Sequence, residues 1–412
     1  MTAETPDTPL DYKDTLNLPK TDFPMRAGLP KREPEWLARW QALDVYGQLR
    51  QRPGRKPFTL HDGPPYANGN LHIGHALNKI LKDMVVRSQQ MQGRDARYIP
   101  GWDCHGLPIE WKIEEKYRQK GRDKDAVDVI EFRQECRDFA RGWVDIQREE
   151  FKRLGITGNW DQPYLTMDFH AERVIAEEFQ TFVMNGSLYQ GSKPVMWSPV
   201  EKTALAEAEV EYHERQSEAI WVPFEVVAGG ADLGAPCKVV IWTTTPWTIP
   251  QNRAICFGSR ISYGLYEVTG RPAECWATIG ARYLLADDLA EEALDAARLT
   301  PDMYRRVRDV SADELAKITC AHPLRGAEGA SGEWDFDVPL LAGDHVTDDA
   351  GTGFVHTAPS HGDDDYAIGV THKLPMTYNI LDDSSFRADL PFFAGEQVIR
   401  PNGKPGGANK AV

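Results

Sequence analysis

Two histidines, separated by two residues, stand at the start of a predicted helix. His72 and His75 follow a loop that leaves the short buried strand 58–61, and the helix begins at Gly74. Free backbone N–H groups at a helix N-terminus favour anions, and imidazoles there can donate hydrogen bonds to phosphoryl oxygens. Gly74 lets a flat base or a phosphate approach the backbone. The pair indicates a phosphate site; two surface histidines that cap a helix are the alternative interpretation.

A second unit of strand, loop and helix follows directly. Strand 96–99 leads to a loop that carries Asp103, and a helix begins at Pro108. Two such units in succession predict a parallel sheet, in which ligands bind at the carboxyl ends of the strands. Hydrophobic periodicity predicts further helices over 34–50, 127–154 and 168–185.

The later part of the chain has a different character and carries a second group of reactive side chains. Predicted strands cover 220–227, 237–242, 254–257, 263–268 and 352–357, with one helix at 283–298. Thr243, Thr244 and Thr245 end one strand, where their hydroxyls could bind a ribose or position a water, although β-branched residues also simply favour strands. Further on, two histidines and three aspartates lie within ten residues, 356–365, a composition that also fits a metal site.

Composition limits the possible classes of protein. The 412 residues are 41% hydrophobic and 26% charged, which predicts a folded chain of two or three domains. The net charge of −15 argues against a general nucleic-acid surface, but residues 112–153 carry twelve Lys or Arg. That stretch is either a local basic face or a solvated helix of mixed charge.

The six cysteines form no CxxC pair, which argues against a zinc ribbon or a redox dithiol. No apolar run suits a membrane span or a signal peptide, so we expect a cytoplasmic protein without a membrane partner.

Both loops of the first part resemble signatures of the class I aminoacyl-tRNA synthetases. Residues 72–75 read HIGH, and residues 65–69, PYANG, are similar to the isoleucyl enzymes within that family. The second loop, 101–110, reads GWDCHGLPIE, the isoleucyl pattern, whereas valyl enzymes are closer to GTDHAG and leucyl enzymes to GWDAFG. The resemblance extends from about residue 30 to about residue 390.

The resemblance implies a role for each residue of these loops. His72 and His75 would stabilise the transition state as the carboxylate of isoleucine attacks the α-phosphate of ATP. Asp103 would hold the α-ammonium group, since an ammonium ion that leaves water needs a fixed carboxylate; a helix-capping carboxylate is the alternative. The implied ATP-binding residues are Asn68, His72, Gly74 and His75, and the implied isoleucine-binding residues are Gly63, Pro64 and Asp103.

The second group of side chains resembles the editing domain that the isoleucyl, valyl and leucyl enzymes share. A pocket separates side chains that differ by one methylene by only about 1–3 kcal/mol, a magnitude for which the isoleucyl enzymes are themselves the standard example. By resemblance, a second pocket hydrolyses the valyl ester. Its implied residues are Thr243, Thr244, Thr245, His356, which would limit the pocket's size, and Asp365, which would anchor the α-ammonium group.

The resemblance also sets the expected organisation. We expect an α/β fold, an incomplete parallel Rossmann-like (HUP-type) nucleotide-binding domain with an inserted β-rich editing domain. The expected divisions are an extended arm, 1–33; the first half of the catalytic domain, 34–199; the editing domain, 200–390; and a tail, 391–412. Ser198 and Glu201 stand where many bacterial relatives have a zinc-binding cysteine pair, so we expect no zinc and no other resident metal.

The expected function is ATP-dependent ligation of isoleucine to tRNA-Ile with editing of Val-tRNA-Ile; ATP enters with Mg²⁺ as a substrate. The KMSKS loop of the family is absent from these 412 residues, which indicates an N-terminal part that is inactive in adenylation by itself. A free-standing deacylase that uses only the editing domain would explain that absence but not the HIGH segment. A non-catalytic tRNA-binding or regulatory paralogue is a third possibility, against which the net charge and the intact site residues weigh.

Overall fold

The computed structural model describes residues 12–17, 21–22, 26–234 and 236–412, which divide into two compact units between Tyr189 and Gln190. The division precedes the boundary predicted at residue 200. About half of the predicted arm, 1–33, lies outside the described residues, but a helix already begins at Leu29.

Helices dominate the first unit. The predicted helix 34–50 is wrong as one element, because Asp44 adopts a positive φ of 44° and its side chain accepts the N–H of Gly47, which separates two helices. The elements are α1 Leu29–Ala42, α2 Val45–Arg50, β1 Pro57–Thr59, α3 Ile73–Met91, β2 Asp95–Arg97, β3 Gly101–Trp102, α4 Leu107–Gln119, α5 Val129–Arg153, β4 Tyr164–Leu165 and α6 Phe169–Met184.

Short parallel strands form the centre of the first unit. β1 pairs with β2, with Phe58 opposite Ala96, and β3 pairs with β4, with Trp102 opposite Leu165. Both pairings are parallel, as the repeated unit of strand, loop and helix predicts, and the unit has mixed α/β content. The buried side chain of Trp102 packs against Phe151 of α5, which fixes that long helix beneath the strands.

A large mixed sheet dominates the second unit. Its nine strands lie in the order β12-β10-β11-β8-β7-β13-β14-β9-β15, and a separate two-stranded sheet pairs β5 with β6. The strands are β5 Trp197–Ser198, β6 Thr203–Ala204, β7 Ile220–Ala228, β8 Cys237–Thr243, β9 Ala254–Phe257, β10 Tyr263–Val268, β11 Arg282–Ala286, β12 Tyr304–Val310, β13 Thr319–Ala321, β14 Asp337–Ala342 and β15 Phe354–Thr357. The helices are α7 Ala290–Ala296, α8 Ala312–Leu315, α9 Asp363–His372 and α10 Ala408–Ala411.

Two expectations for this unit are wrong. The helix predicted at 283–298 begins as strand β11, because its first apolar side chains are buried in the sheet and only the later ones form α7. The predicted tail, 391–412, is packed: Phe393 and Ala408 are buried beside Trp334 in an apolar cluster. Glycine and proline there mark turns between buried side chains. None of the helices in the described part of the chain is long and apolar enough to cross a membrane.

Candidate active sites

The two histidines of the first unit form a stacked pair at the start of α3. Their ring centroids are 3.8 Å apart, and His72 is the residue that caps the helix. The Nδ1 atom of His72 accepts the N–H of Gly74 at 3.1 Å, and Nδ1 of His75 accepts the N–H of His72 at 3.3 Å. With both Nδ1 atoms accepting, the neutral rings carry their protons on Nε2. The pair therefore caps the helix and also keeps two imidazole donors, so the two interpretations of the sequence are compatible.

Burial distinguishes the two rings. His72 is exposed, whereas burial lowers the pKa of His75; the nearby His72 and Lys79 lower it further and Glu150 opposes them. A Cβ atom added at Gly74 would lie 2.9 Å from Cε1 of His72. A larger residue at that position would therefore push the stacked ring aside.

Backbone hydrogen bonds join the two predicted loops. The N–H of Asp103 donates to the carbonyl of Pro65, and the N–H of Ala67 donates to the carbonyl of Asp103, both at 2.8 Å. The side chain of Asn68 donates to the carbonyl of Pro108 at 2.8 Å, so it ties the first loop to the start of α4. Gly63, Pro64 and Asp103 thus lie on connected segments at one edge of the strands.

Asp103 does not act as the cap of α4. Its Oδ1 accepts the N–H of His105 at 3.3 Å and faces the hydroxyl of Thr166 at 3.4 Å, whereas α4 begins only at Leu107. Among the residues that the structure describes, Oδ2 of Asp103 makes no hydrogen bond. The half-buried carboxylate is accordingly available to a cationic group.

A buried ionic cluster beneath these loops was missed by the sequence analysis. Lys79 of α3 is 1% exposed and donates to Asp62, to which Lys82 also donates. Asp62 in turn accepts the N–H of Gly101 at 2.8 Å, and Lys79 reaches the hydroxyl of Tyr98 at 3.0 Å. The cluster fixes α3 against both loops. The sequence feature that could have predicted the cluster is a pair of lysines, Lys79 and Lys82, on one face of a helix that follows a single aspartate, Asp62.

The charges of this cluster depend on each other. Burial lowers the pKa of Lys79 to about 8, although Asp62 opposes that shift. Burial alone would raise the pKa of Asp62, but Lys79, Lys82 and the N–H of Gly101 lower it overall. The loss of either partner would leave a buried charge without compensation.

Helix α5 supports the loop that precedes the histidines, which the sequence analysis also missed. The fully buried side-chain amide of Gln147 donates to the carbonyls of Tyr66 and Gly69 and accepts the indole N–H of Trp102 at 2.9 Å. Glu150 accepts the N–H of Leu71 at 2.9 Å. The sequence feature that could have predicted this contact is the polar Gln147 on the otherwise apolar face of the helix.

All five predicted residues of the second unit line one cavity of about 330 Å³. They are Thr243, Thr244, Thr245, His356 and Asp365. Thr243 is the last residue of β8, and the other two threonines follow it. His356 lies on β15, and Asp365 lies in the first turn of α9. The hydroxyl of Thr243 accepts the N–H of Thr245 at 3.1 Å, so the threonine segment folds back on itself.

Hydrogen bonds fix the ring of His356. Its Nε2 lies 2.8 Å from the hydroxyl of Thr248, which itself donates to the carbonyl of Thr245. Nε2 therefore carries the proton, and Nδ1 faces the amide of Asn252 at 3.4 Å. Burial, with a contribution from His361, lowers the pKa of His356 to about 4, so the ring is neutral at pH 7. Thr248 and Asn252 were not predicted from the sequence.

Asp365 is a partly buried carboxylate at the cavity wall. Burial raises its pKa, whereas the N–H of Ala358, which donates to Oδ1 at 2.6 Å, opposes that shift. A carboxylate with little solvent is stabilised by a cation, which suits the predicted contact with an ammonium group. His345 and His361 line the same cavity and were not assigned from the sequence.

The turn between β5 and β6 contains Ser198 and Glu201, the residues at the expected cysteine positions. The hydroxyl of Ser198 donates to the carboxylate of Glu201. Among the described residues, no group of three or more His, Cys, Asp or Glu side chains is arranged to hold a metal ion. Neither observation tests the expectation that this part of the chain binds no zinc.

Comparison with known proteins gives consistent matches. The model of the family described as tRNA synthetases class I (I, L, M and V) matches residues 35–328. The isoleucine–tRNA ligase of Ruegeria pomeroyi is 65% identical over 415 residues, which cover the whole of this chain and 42% of that protein. Those of Rhodopseudomonas palustris and Agrobacterium fabrum are 56% and 57% identical over 98% of this chain, and over 41% and 42% of their own lengths. The chain spans about two fifths of the length of these curated relatives.

Proposed function

Because the chain belongs to the class I tRNA synthetase family, we propose that it is the N-terminal part of an isoleucine–tRNA ligase. Its first unit would bind isoleucine and ATP with Mg²⁺ as substrates, and its second unit would hydrolyse valine from mischarged tRNA-Ile. The observation that carries this proposal is the 65% identity with the ligase of Ruegeria pomeroyi over the whole chain. The fold that we propose is correspondingly a half of a Rossmann-like domain followed by an inserted editing domain.

The stacked histidines support the proposed role in adenylate formation. Negative charge grows on the α-phosphate when a carboxylate attacks it, and the Nε2 donors of His72 and His75 could bind the oxygens that carry that charge. Fixed donors are more effective than water, because they need no reorganisation at the moment of reaction. The hydrogen bonds through Nδ1 and the ionic cluster under α3 supply that fixation.

Asp103 and the segment Gly63–Pro64 would bind the amino acid. The free oxygen of Asp103 would accept the α-ammonium group, and Pro64 would contact the side chain. Pro64 lies close to Gly101, where an added Cβ atom would approach the proline ring carbon to 3.3 Å. The two loops are therefore packed together without space for a further side chain at that point.

The cavity of the second unit supports the proposed hydrolysis. Asp365 would hold the ammonium group of a valyl ester, and the threonine hydroxyls would bind the terminal ribose or the attacking water. His356 is held by Thr248 and Asn252, so its ring forms a rigid wall that would limit the size of the bound side chain. A rigid wall would exclude a larger side chain by steric overlap. Such exclusion discriminates more strongly than a small difference in the favourable contacts of the two side chains.

Deacylation assays test the proposal. Residues 1–412 should hydrolyse Val-tRNA-Ile at least tenfold faster than Ile-tRNA-Ile, and faster than buffer alone. Isoleucine-dependent ATP–pyrophosphate exchange by the same chain should be weak, since the sequence contains no lysine-rich KMSKS loop to bind the β- and γ-phosphates. Hydrolysis of both esters at the uncatalysed rate would contradict the editing function. Efficient binding of Val-tRNA-Ile without any binding of an isoleucyl-adenylate analogue would favour a free-standing deacylase.

A further inference from the structure

The cavity that holds Asp365 is lined by three histidines with unequal capacity to accept a proton. His356 uses both ring nitrogens in hydrogen bonds to Thr248 and Asn252. The Nε2 atom of His361 is buried without a hydrogen-bond partner, and its ring packs edge-on against Trp247 at 5.0 Å. Burial lowers the pKa of His361 to about 4, so this ring is a weak base.

His345 differs from the other two rings. It lies on the segment that leaves β14, it is only half-buried, and it lines the same cavity. Across the described part of the chain, neither nitrogen of its ring makes a hydrogen bond. The ring packs over the backbone at Gly343, where an added Cβ atom would lie 2.7 Å from its Cε1. This imidazole is thus positioned by packing, and its nitrogens remain available to a ligand or a water.

The side chains of His345 and Asp365 interact electrostatically. A positive charge on His345 stabilises the carboxylate, and this interaction lowers the pKa of Asp365 against the effect of burial. The other titratable groups that line the cavity are His356 and His361, while Asp344 and Asp348 lie on the same segment as His345. His345 therefore lies near enough to Asp365 for the two side chains to share the part of the cavity in which the ester would bind.

We propose that His345 is the general base that accepts the proton of the hydrolytic water in this cavity. The inference rests on the proposed editing function and adds a catalytic residue to it. His356 has no free nitrogen, threonine hydroxyls are very weak bases, and Asp365 is committed to Ala358 and to the substrate ammonium group. Among the histidines that line the cavity, His345 is half-buried and has ring nitrogens without a hydrogen-bond partner in the described structure, whereas the unpartnered Nε2 of His361 is buried.

The proposed reaction is the hydrolysis of an ester bond. The water oxygen forms a bond to the carbonyl carbon of the valyl ester while one water proton moves to a ring nitrogen of His345. The bond between that carbon and the ribose oxygen then breaks, and the imidazolium returns its proton to the ribose oxygen. The products are free valine and tRNA with a free terminal hydroxyl group, and the histidine is regenerated neutral.

The test compares deacylation of Val-tRNA-Ile by the 412-residue chain with that of its variants. His345→Ala and His345→Gln should each lower the rate about 100-fold, the lower end of the contribution of general acid–base catalysis. Added imidazole should restore part of the activity of His345→Ala, whose cavity has space for it, and not that of His345→Gln. His372→Ala, an exposed histidine at the end of α9, is the matched control and should retain the wild-type rate.

The outcomes separate this inference from the function on which it rests. Wild-type rates in both His345 variants, together with a loss of activity in Asp365→Ala, would overturn the role of His345 and leave editing intact. Slow variants that imidazole does not rescue, and whose rates keep the wild-type dependence on pH, would show a structural role and also overturn it. A wild-type chain that does not deacylate at all would overturn the editing function, and the role of His345 with it.

Discussion

The two candidate sites use histidine in opposite ways. In the first unit, His72 and His75 lie at a helix end and accept backbone N–H groups through Nδ1, so their Nε2 atoms remain as donors. In the second unit, the ring of His356 is buried, and both of its nitrogens are bonded inside the protein. The first arrangement would suit the negatively charged ligand that we propose for it, whereas the second forms a rigid neutral wall.

Support for the two sites differs as well. The first unit holds its loops with a buried ionic cluster of Asp62, Lys79 and Lys82, and the second holds its cavity mainly with neutral hydrogen bonds. Ion pairs that are buried cost desolvation energy and tolerate the loss of a partner poorly. The first candidate site is thus held from underneath by buried charges, whereas the second obtains its rigidity from hydrogen bonds within its own walls.

The largest expected effect follows from breaking the ionic cluster. Asp62→Asn should lower the free energy of unfolding of the first unit by about 3–5 kcal/mol, because it leaves the buried Lys79 without a carboxylate. Urea denaturation followed by circular dichroism measures the change. Removal of the cation as well, in Asp62→Asn/Lys79→Met, should recover part of the loss. The exposed pair of Arg173 and Glu177 on α6 is the control: Arg173→Met should cost less than about 1 kcal/mol. A similar small cost for Asp62→Asn would contradict the role of the cluster.

In the second unit, the carboxylate at the cavity wall should matter for activity and little for folding. Asp365→Ala should slow deacylation of Val-tRNA-Ile about 100-fold, the equivalent of about 3 kcal/mol, since the ammonium group of the ester loses its counter-charge. Asp364→Ala, at the exposed neighbour on the same helix turn, should stay within twofold of the wild-type rate. Equal rates for the two variants would remove Asp365 from the site.

Acid should destabilise the second unit through its buried neutral histidines. Burial lowers the pKa of His322 to about 3, while the unfolded chain titrates near the ordinary value of 6.5. The folded pKa is the lower one, so the unfolded state binds more protons as the pH falls below 6.5, and stability is lost on acidification. Between pH 7 and pH 5 the loss from this residue should be about 2 kcal/mol.

Urea midpoints at the two pH values measure that loss. The variant His322→Gln should show a pH dependence weaker by about one proton, and His213→Gln, at a histidine whose side chain is 70% exposed, should not. An unchanged slope in His322→Gln would indicate that the imidazole is already charged in the folded protein.

The smallest expected effect separates the stacked histidines from the stability of their helix. Gly74→Ala introduces a Cβ atom that meets the ring of His72, yet alanine favours the helix by up to about 1 kcal/mol. The free energy of unfolding should therefore change by less than about 1 kcal/mol, whereas binding of Mg-ATP by isothermal titration calorimetry should weaken several-fold. Unchanged binding would show that the stack is not part of the nucleotide site.

Local sequence was sufficient for several elements and for the placement of the loops. The helix after His72, the parallel strands on either side of it and the strands 254–257 and 263–268 follow from short-range patterns of apolar side chains. The prediction of one helix over 283–298 was wrong because a buried strand and the short helix after it together show the spacing of apolar residues that is typical of a single helix. Glycine and proline after residue 391 likewise indicate turns, but they do not reveal that Phe393 is buried.

The sequence by itself determined which residues we propose for both sites: the HIGH segment, Asp103, the three threonines, His356 and Asp365. Only the tertiary structure decided how those residues are held. The ionic cluster of Asp62 and Lys79, the amide of Gln147, and the hydrogen bonds of His356 to Thr248 and Asn252 join positions far apart in the chain. Such contacts leave no periodic trace, because a buried polar group needs one partner of the right geometry rather than a repeated spacing.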